Sequence, residues 1–188
     1  WFQGGGINAC VNVLDRNRFL FPEQTAFIWH AEAEGSIHFT YKELYEKVLE
    51  VAEGLRNLGL RKGDSVTLYL PMIPEIVISM LACARIGCIH NVVFAGFSAE
   101  ALASRVLESE AKLVITADGS LRKGKVLPLK KIVDESLRLL RSSVSVVVVK
   151  RAGIECKMLP RRDMLWEDLC EKGSENASYE MMEATDPL

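Results

Sequence analysis

The chain has 188 residues, 49% hydrophobic and 26% charged, the balance of an ordinary soluble globular domain with enough length to bury a core. A formal net charge of −2 gives no electrostatic reason for nucleic acid or an anionic membrane as partner, and the longest apolar stretch, Ile76–Ala84 interrupted by Ser79, is too short to cross a bilayer. The five cysteines, Cys10, Cys83, Cys88, Cys156 and Cys170, are odd in number and never spaced C-x-x-C, which favours reduced thiols over a zinc site or a disulfide framework.

From the amino end, Trp1–Arg18 sets Gly4-Gly5-Gly6 ahead of polar residues and scattered hydrophobes. It reads as an irregular packed segment, with Asn12 and Asp15 as turn or cap residues. Thr25–His30 is a short apolar strand, and Ser36–Phe39 pairs with it across the polar Glu32–Gly35 turn. Thr40 and Glu43 make a T-x-x-E capping box, flanked by Phe39 and Leu44 as a hydrophobic staple. Leu44, Val48, Val51, Leu55 and Leu58 then share one helical face, and Gly59 supplies the left-handed residue that ends the helix.

Lys62-Gly-Asp64 turns the chain into a run of alternating elements. Ser65–Leu70 is a strand closed by Pro71, Pro74–Ile86 a helix stopped at Gly87, and Ile89–Phe94 a second strand. Ser98–Glu108 is a helix capped by Ser98, and Lys112–Thr116 is a third strand. This alternation predicts an α/β fold with a mostly parallel sheet and helices on both faces. Leu129–Leu140 is an amphipathic helix, and the branched run Ser145–Val149 is a strand buried on both faces. Met164–Cys170 forms one short helix, and Glu171–Pro187 is a polar linker or surface loop. His90 is expected to be buried and hydrogen-bonded. Ser98 lacks the G-x-S-x-G setting of a nucleophile.

Between the third strand and the following helix lies Gly119-Ser-Leu-Arg-Lys-Gly-Lys125. It falls one residue short of a Walker A loop, because Val126 stands where a Ser or Thr hydroxyl would hold magnesium. The next strand ends in Val149-Lys150-Arg151, without the Asp that would complete such a metal site. A P-loop nucleoside triphosphatase is therefore disfavoured. Two readings remain open: a solvated charged turn, and an anion site. Three cations and two glycines ahead of a helix, beyond the carboxyl ends of the strands, suit a phosphate-bearing ligand. The residues alone do not name it.

Several blocks resemble the AMP-forming acetyl-coenzyme A synthetases of the acyl-adenylate-forming superfamily. They are Trp1-Phe2-x-Gly-Gly-x-x-Asn8, Leu14-Asp-Arg16, Thr40-Tyr-x-Glu-Leu44, Lys62-Gly-Asp64 and Tyr69-Leu-Pro-Met-Ile-Pro-Glu75. Met80-Leu-Ala-Cys-Ala-Arg-Ile-Gly87, His90 and Val93-Phe-Ala-Gly-Phe-Ser98 are the most specific. Ile115-Thr-Ala-Asp118, Leu129-Lys-Lys-Ile-Val-Asp134 and Asp186-Pro-Leu188 complete the set.

The resemblance implies a ligase that makes acetyl-AMP from acetate and ATP, used with Mg2+, and then transfers the acetyl group to coenzyme A. It implies no prosthetic group, no nucleic-acid partner and no membrane partner. Residue by residue, Gly96 and the Arg122, Lys123, Gly124, Lys125 stretch match positions that contact coenzyme A in that family. Ala95 and Lys123 depart from its usual glycine and small residue. The family's ATP phosphate loop, which follows Asp-Pro-Leu, its acetate pocket and its adenylation lysine find no counterpart in these 188 residues. The implied organisation is the tail of an N-terminal segment over 1–38, then over 39–188 the first, incomplete part of the large adenylating domain. Such a piece holds no catalytic residue and no metal ligand, needs the remainder of its parent chain as partner, and is expected to be inactive alone. A cytoplasmic parent is expected; a leader ahead of Trp1 would send it to mitochondria. Rival readings are a ligase for propionate or another short acid, and a stand-alone phosphate-ligand-binding α/β module.

Overall fold

The computed structural model describes residues 3–31, 35–122, 124–140, 143–171 and 178–188, with the backbone alone at Arg122. They fall into two units. The first comprises Trp1–Asp64, Ile73–Ile89 and Cys170–Leu188; the second comprises Ser65–Met72 and His90–Leu169.

In the first unit the amino-terminal segment is helical, where the sequence suggested irregular chain. A π-helical turn, Val11–Asp15, runs into α1, Arg16–Leu20. Cys10 and Leu14 are its buried anchors, too few to set a visible period, so docking against the rest of the unit stabilises it. Asp15 caps nothing here and instead pairs with Arg85.

The strands β1, Thr25–Ala31, and β2, Gly35–Thr40, pair antiparallel with Trp29 opposite Ile37. Phe27 stacks on Phe39 with ring centroids 4.7 Å apart. The turn predicted between them lies largely outside the described residues. The expected capping box is present: Thr40 N donates to Glu43 Oε2 at 2.8 Å, and Glu43 N to Thr40 Oγ1 at 3.1 Å. It starts α2, Tyr41–Asn57, which buries Leu44, Val48, Val51 and Leu55 and packs on α3, Pro74–Arg85. Gly87 ends the α3 region at φ +72°, where an added Cβ would meet Met182 Sδ at 2.9 Å.

That last contact shows where the tail goes. Residues 178–188 dock on this unit, the surface-loop alternative of the expected linker or surface loop. Met182 is buried, Ile7 N donates to Met182 O at 2.8 Å, Ala184 N to Gly5 O at 3.0 Å, and Lys62 Nζ lies 2.7 Å from Asp186. Met182, the Tyr179 ring against Arg85, backbone groups and an ion pair do the docking, and none of these leaves a hydrophobic period to read.

The second unit is built on a parallel sheet of order β4-β3-β5-β8-β9. Its strands are β3, Ser65–Tyr69; β4, Ile89–Val92; β5, Leu113–Ala117; β8, Ser145–Val149; and β9, Asp163–Leu165. A separate antiparallel pair, β6, Ser120–Arg122, and β7, Lys125–Leu127, follows β5. Central β3 and β5 are buried at every residue, as branched two-sided strands require, with Val66 beside Leu113 and Val114 beside Val146. Helix α4, Ala99–Glu108, is capped by Ser98, whose Oγ accepts from Ala101 N at 3.3 Å. It packs on α5, Leu129–Leu139, which lies against β5.

Strand β9, which precedes α6, Trp166–Glu171, was not foreseen. Its three residues carry no alternation. It is held by buried charge: Lys130 Nζ lies 2.8 Å from Asp134, 2.9 Å from Asp163 and 2.9 Å from Lys157 O, while Arg162 bonds to both carboxylates.

Candidate functional site

Parallel strands present their carboxyl ends together, and in the second unit the segments after β4, β5 and β8 are among those that leave from that edge. Tyr69, the last residue of β3, is fully buried. Its hydroxyl donates to Phe97 O at 2.8 Å, and its carbonyl accepts from Thr116 Oγ1 at 2.9 Å. The first bond ties the segment after β4, which contains Gly96, to the end of β3, and the second ties the ends of β3 and β5 to each other. Phe94 and Phe97 meet edge to face at 6.2 Å, both partly exposed. A Cβ on Gly96 would lie 2.5 Å from Phe94 Cε1, so only glycine leaves that ring in place.

The basic segment after β5 is a two-stranded hairpin rather than a loop wrapped before a helix. Ser120 pairs with Leu127, Leu121 with Val126 and Arg122 with Lys125, and Gly124 turns the chain at φ +70°. Val126, Leu127 and Pro128 stand between Lys125 and the first residue of α5, so the expected placement at a helix N-terminus is corrected. Alternating side chains and a pairable backbone make the ladder, which a Walker-type cradle would forbid. Lys125 is exposed, and Leu121 and Val126 are exposed apolar neighbours. Lys123 lies outside the described residues. The structure thus keeps Gly124 and Lys125 on one tight turn, with Arg122 as the backbone partner of Lys125.

At the hairpin's base sits a residue that the residue-level reading did not single out. Asp118 is 2% exposed, and its carboxylate accepts from the backbone N–H of Gly119 at 2.6 Å, Arg151 at 2.8 Å, Ala152 at 2.8 Å and Ile154 at 3.2 Å. Burial alone would raise its pKa. The four donors, those of Ala152 and Arg151 foremost, overcome burial and hold the group below its usual value. An Asp-Gly pair directly after an apolar strand was the available signal.

His90 is half-buried, but its Nδ1 has no hydrogen-bond partner, contrary to expectation, and burial lowers its pKa. Among the described residues, no group of three or more His, Cys, Asp or Glu side chains could hold a metal ion, and no helix is long and apolar enough to cross a membrane. What the edge of the sheet offers is an exposed cation, Lys125, on a tight turn after β5, and a glycine, Gly96, after β4. Such an edge suits an anionic ligand with an extended body.

The family described as AMP-binding enzyme matches residues 14–179. Over its whole length the chain is 45% identical to an acetyl-coenzyme A synthetase of Syntrophobacter fumaroxidans and 44% identical to one of Escherichia coli. It spans 29% of the length of each. A solved acetoacetyl-CoA synthetase from Streptomyces lividans superposes with a TM-score of 0.87 at 30% identity, over 97% of this chain and 28% of that one.

Proposed function

Since the chain belongs to the AMP-binding enzyme family, we propose that it is the amino-terminal part of an acetate–CoA ligase, working through acetyl-AMP. The observation that carries this reading is 44–45% identity to acetyl-coenzyme A synthetases along the entire chain. In this reading residues 1–38 are the tail of an N-terminal segment, and 39–188 are the first part of the adenylating domain. ATP, entering with Mg2+, and acetate meet their catalytic groups in the remainder of the parent chain, in the cytoplasm. The part described here supplies one wall of the coenzyme A site.

Gly96 lets the nucleotide's extended arm pass close to backbone. Arg122, Lys123 and Lys125, turned by Gly124, meet its phosphates; guanidinium and ammonium groups suit that role by charge and by donor geometry. The test is to assay the full gene product for acetate-dependent exchange of pyrophosphate into ATP and for AMP release that requires coenzyme A. The 188-residue chain alone is expected to show no exchange. Exchange by the full product without any response to coenzyme A would refute the assignment.

A second reading, a ligase for a different short acid, is favoured by the resemblance of this fold to a solved acetoacetyl-CoA synthetase. Comparing kcat/KM for acetate, propionate and acetoacetate decides between them.

A further inference from the structure

The hairpin after β5 and the segment after β8 are distant in sequence yet share one carboxylate. Asp118 Oδ1 gathers Gly119 N, Arg151 N and Ala152 N, and Oδ2 takes Ile154 N. The backbone of the same residue reaches further: its N–H donates to Val149 O at 2.9 Å, and its carbonyl accepts from Lys130 N at 3.4 Å. A single residue therefore joins the end of β5, the base of the hairpin, the exit of β8 and the first turn of α5. The seam beside it is close-packed. A Cβ on Gly119 would stand 3.0 Å from Ala152 Cβ and 3.1 Å from both Ile154 Cδ1 and Leu127 O.

An ionised carboxylate is acceptor-only and suits four converging donors. An asparagine would bring two N–H donors of its own into a ring of N–H groups.

We propose that Asp118 is a positioning residue for the coenzyme A step, fixing the angle at which the Arg122–Lys125 turn leaves the sheet by bonding it to the Arg151–Ile154 segment. This rests on the reading of the hairpin as a coenzyme A contact. With the bond lost, the hairpin samples several angles. Apparent affinity then falls by the fraction of molecules still in the competent one, about tenfold if that fraction is about a tenth.

The experiment uses the full gene product and two variants, Asp118→Asn and Gly119→Ala, the second disturbing the same seam while keeping the charge. Each is measured for coenzyme A KM, for acetate-dependent pyrophosphate exchange, and for hydrogen exchange of the amides of Gly119, Arg151 and Ala152. Faster amide exchange, with a coenzyme A KM raised about tenfold and pyrophosphate exchange kept within about twofold, supports the inference. An unchanged KM in both variants, or equal losses in both half-reactions, overturns it. A wild-type protein that fails to bind coenzyme A in a direct titration overturns the functional reading and this inference together. Wild-type binding that neither variant weakens overturns this inference alone.

Discussion

Arg85 and Asp15 meet in a two-pronged pair, Nη1 to Oδ2 at 2.8 Å and Nη2 to Oδ1 at 3.0 Å, and the arginine side chain is wholly buried. Tyr45 and Tyr179 lie over the guanidinium at 5.4 and 6.0 Å, and Cys10 Sγ accepts from it at 3.8 Å. Burial opposes the charge on Arg85, but the bonds to Asp15 outweigh it and raise the pKa. Burial also pushes the Cys10 thiol up to about 11, so this cysteine is packing material and no nucleophile.

Asp15→Asn leaves a buried cation without its counter-charge and should cost about 3 kcal/mol, measured as the shift in urea unfolding. The double variant Asp15→Leu/Arg85→Met removes both charges and should lose less. Equal loss in the two would mean that shape, not charge pairing, holds this corner.

Asn8 is the second tie in the same corner. Its buried side-chain amide donates to Ala84 O at 2.8 Å, Arg85 O at 3.1 Å and Glu180 O at 2.8 Å, tying the end of α3 to the tail. Asn8→Ala should destabilise by about 1–2 kcal/mol, since the side-chain bonds are lost while Ala84 O keeps the Gly87 N–H and Arg85 O keeps the Glu180 N–H. Thermal unfolding of variant against wild type checks it, and a loss below about 0.5 kcal/mol would argue that water replaces the amide.

For the hairpin, Arg122→Ala and Lys125→Ala in the full gene product should each raise the coenzyme A KM by about tenfold or more, the worth of a charge-assisted bond. Adenylation should stay near wild type. A pyrophosphate-exchange rate that fell in step would place the turn at the ATP end instead.

Two carboxylates set the acid limit. Burial would raise Asp163, but Arg162, the Leu159 N–H and Lys130 hold it below the usual range, as the four amides do for Asp118. Both bind fewer protons folded than unfolded near pH 4. Their stabilisation is complete above the unfolded pKa of about 3.9 and is lost as pH falls through the lower folded values. Asp118→Asn should therefore flatten the acid side of the stability profile while lowering its plateau. His90 works at a higher pH: its lowered pKa keeps it neutral, so stability falls as pH drops below about 6.5. His90→Phe should remove that slope, and a persistent slope would assign it to another group.

Much of this fold was legible where local rules and burial agree. The Thr40–Glu43 box, the face from Leu44 to Leu55, and the branched strands at 65–69, 113–117 and 145–149 each carry their own period or cap. What stayed hidden depends on partners distant in the chain. The helical start around Leu14, strand β9 and the docked tail are held by Arg85, Lys130 and Lys62, whose partners no window of residues displays. The candidate site was half legible. Its cations and glycines stood out, but a three-residue strand pair was mistaken for a loop. Asp118 showed as a motif letter, because its donors come from backbone that has no sequence of its own.

The tie between Asn8 and Glu180 has a consequence for synthesis. The second partner leaves the ribosome 172 residues after the first, roughly ten to thirty seconds at common elongation rates. During that wait the segment ahead of the amino-terminal helix lacks the tail it bonds to, while the helix itself already has α2 to pack on. Ordering of residues 5–8 is therefore expected to follow the translation of residues 178–186, and to lag the folding of the helix beside it.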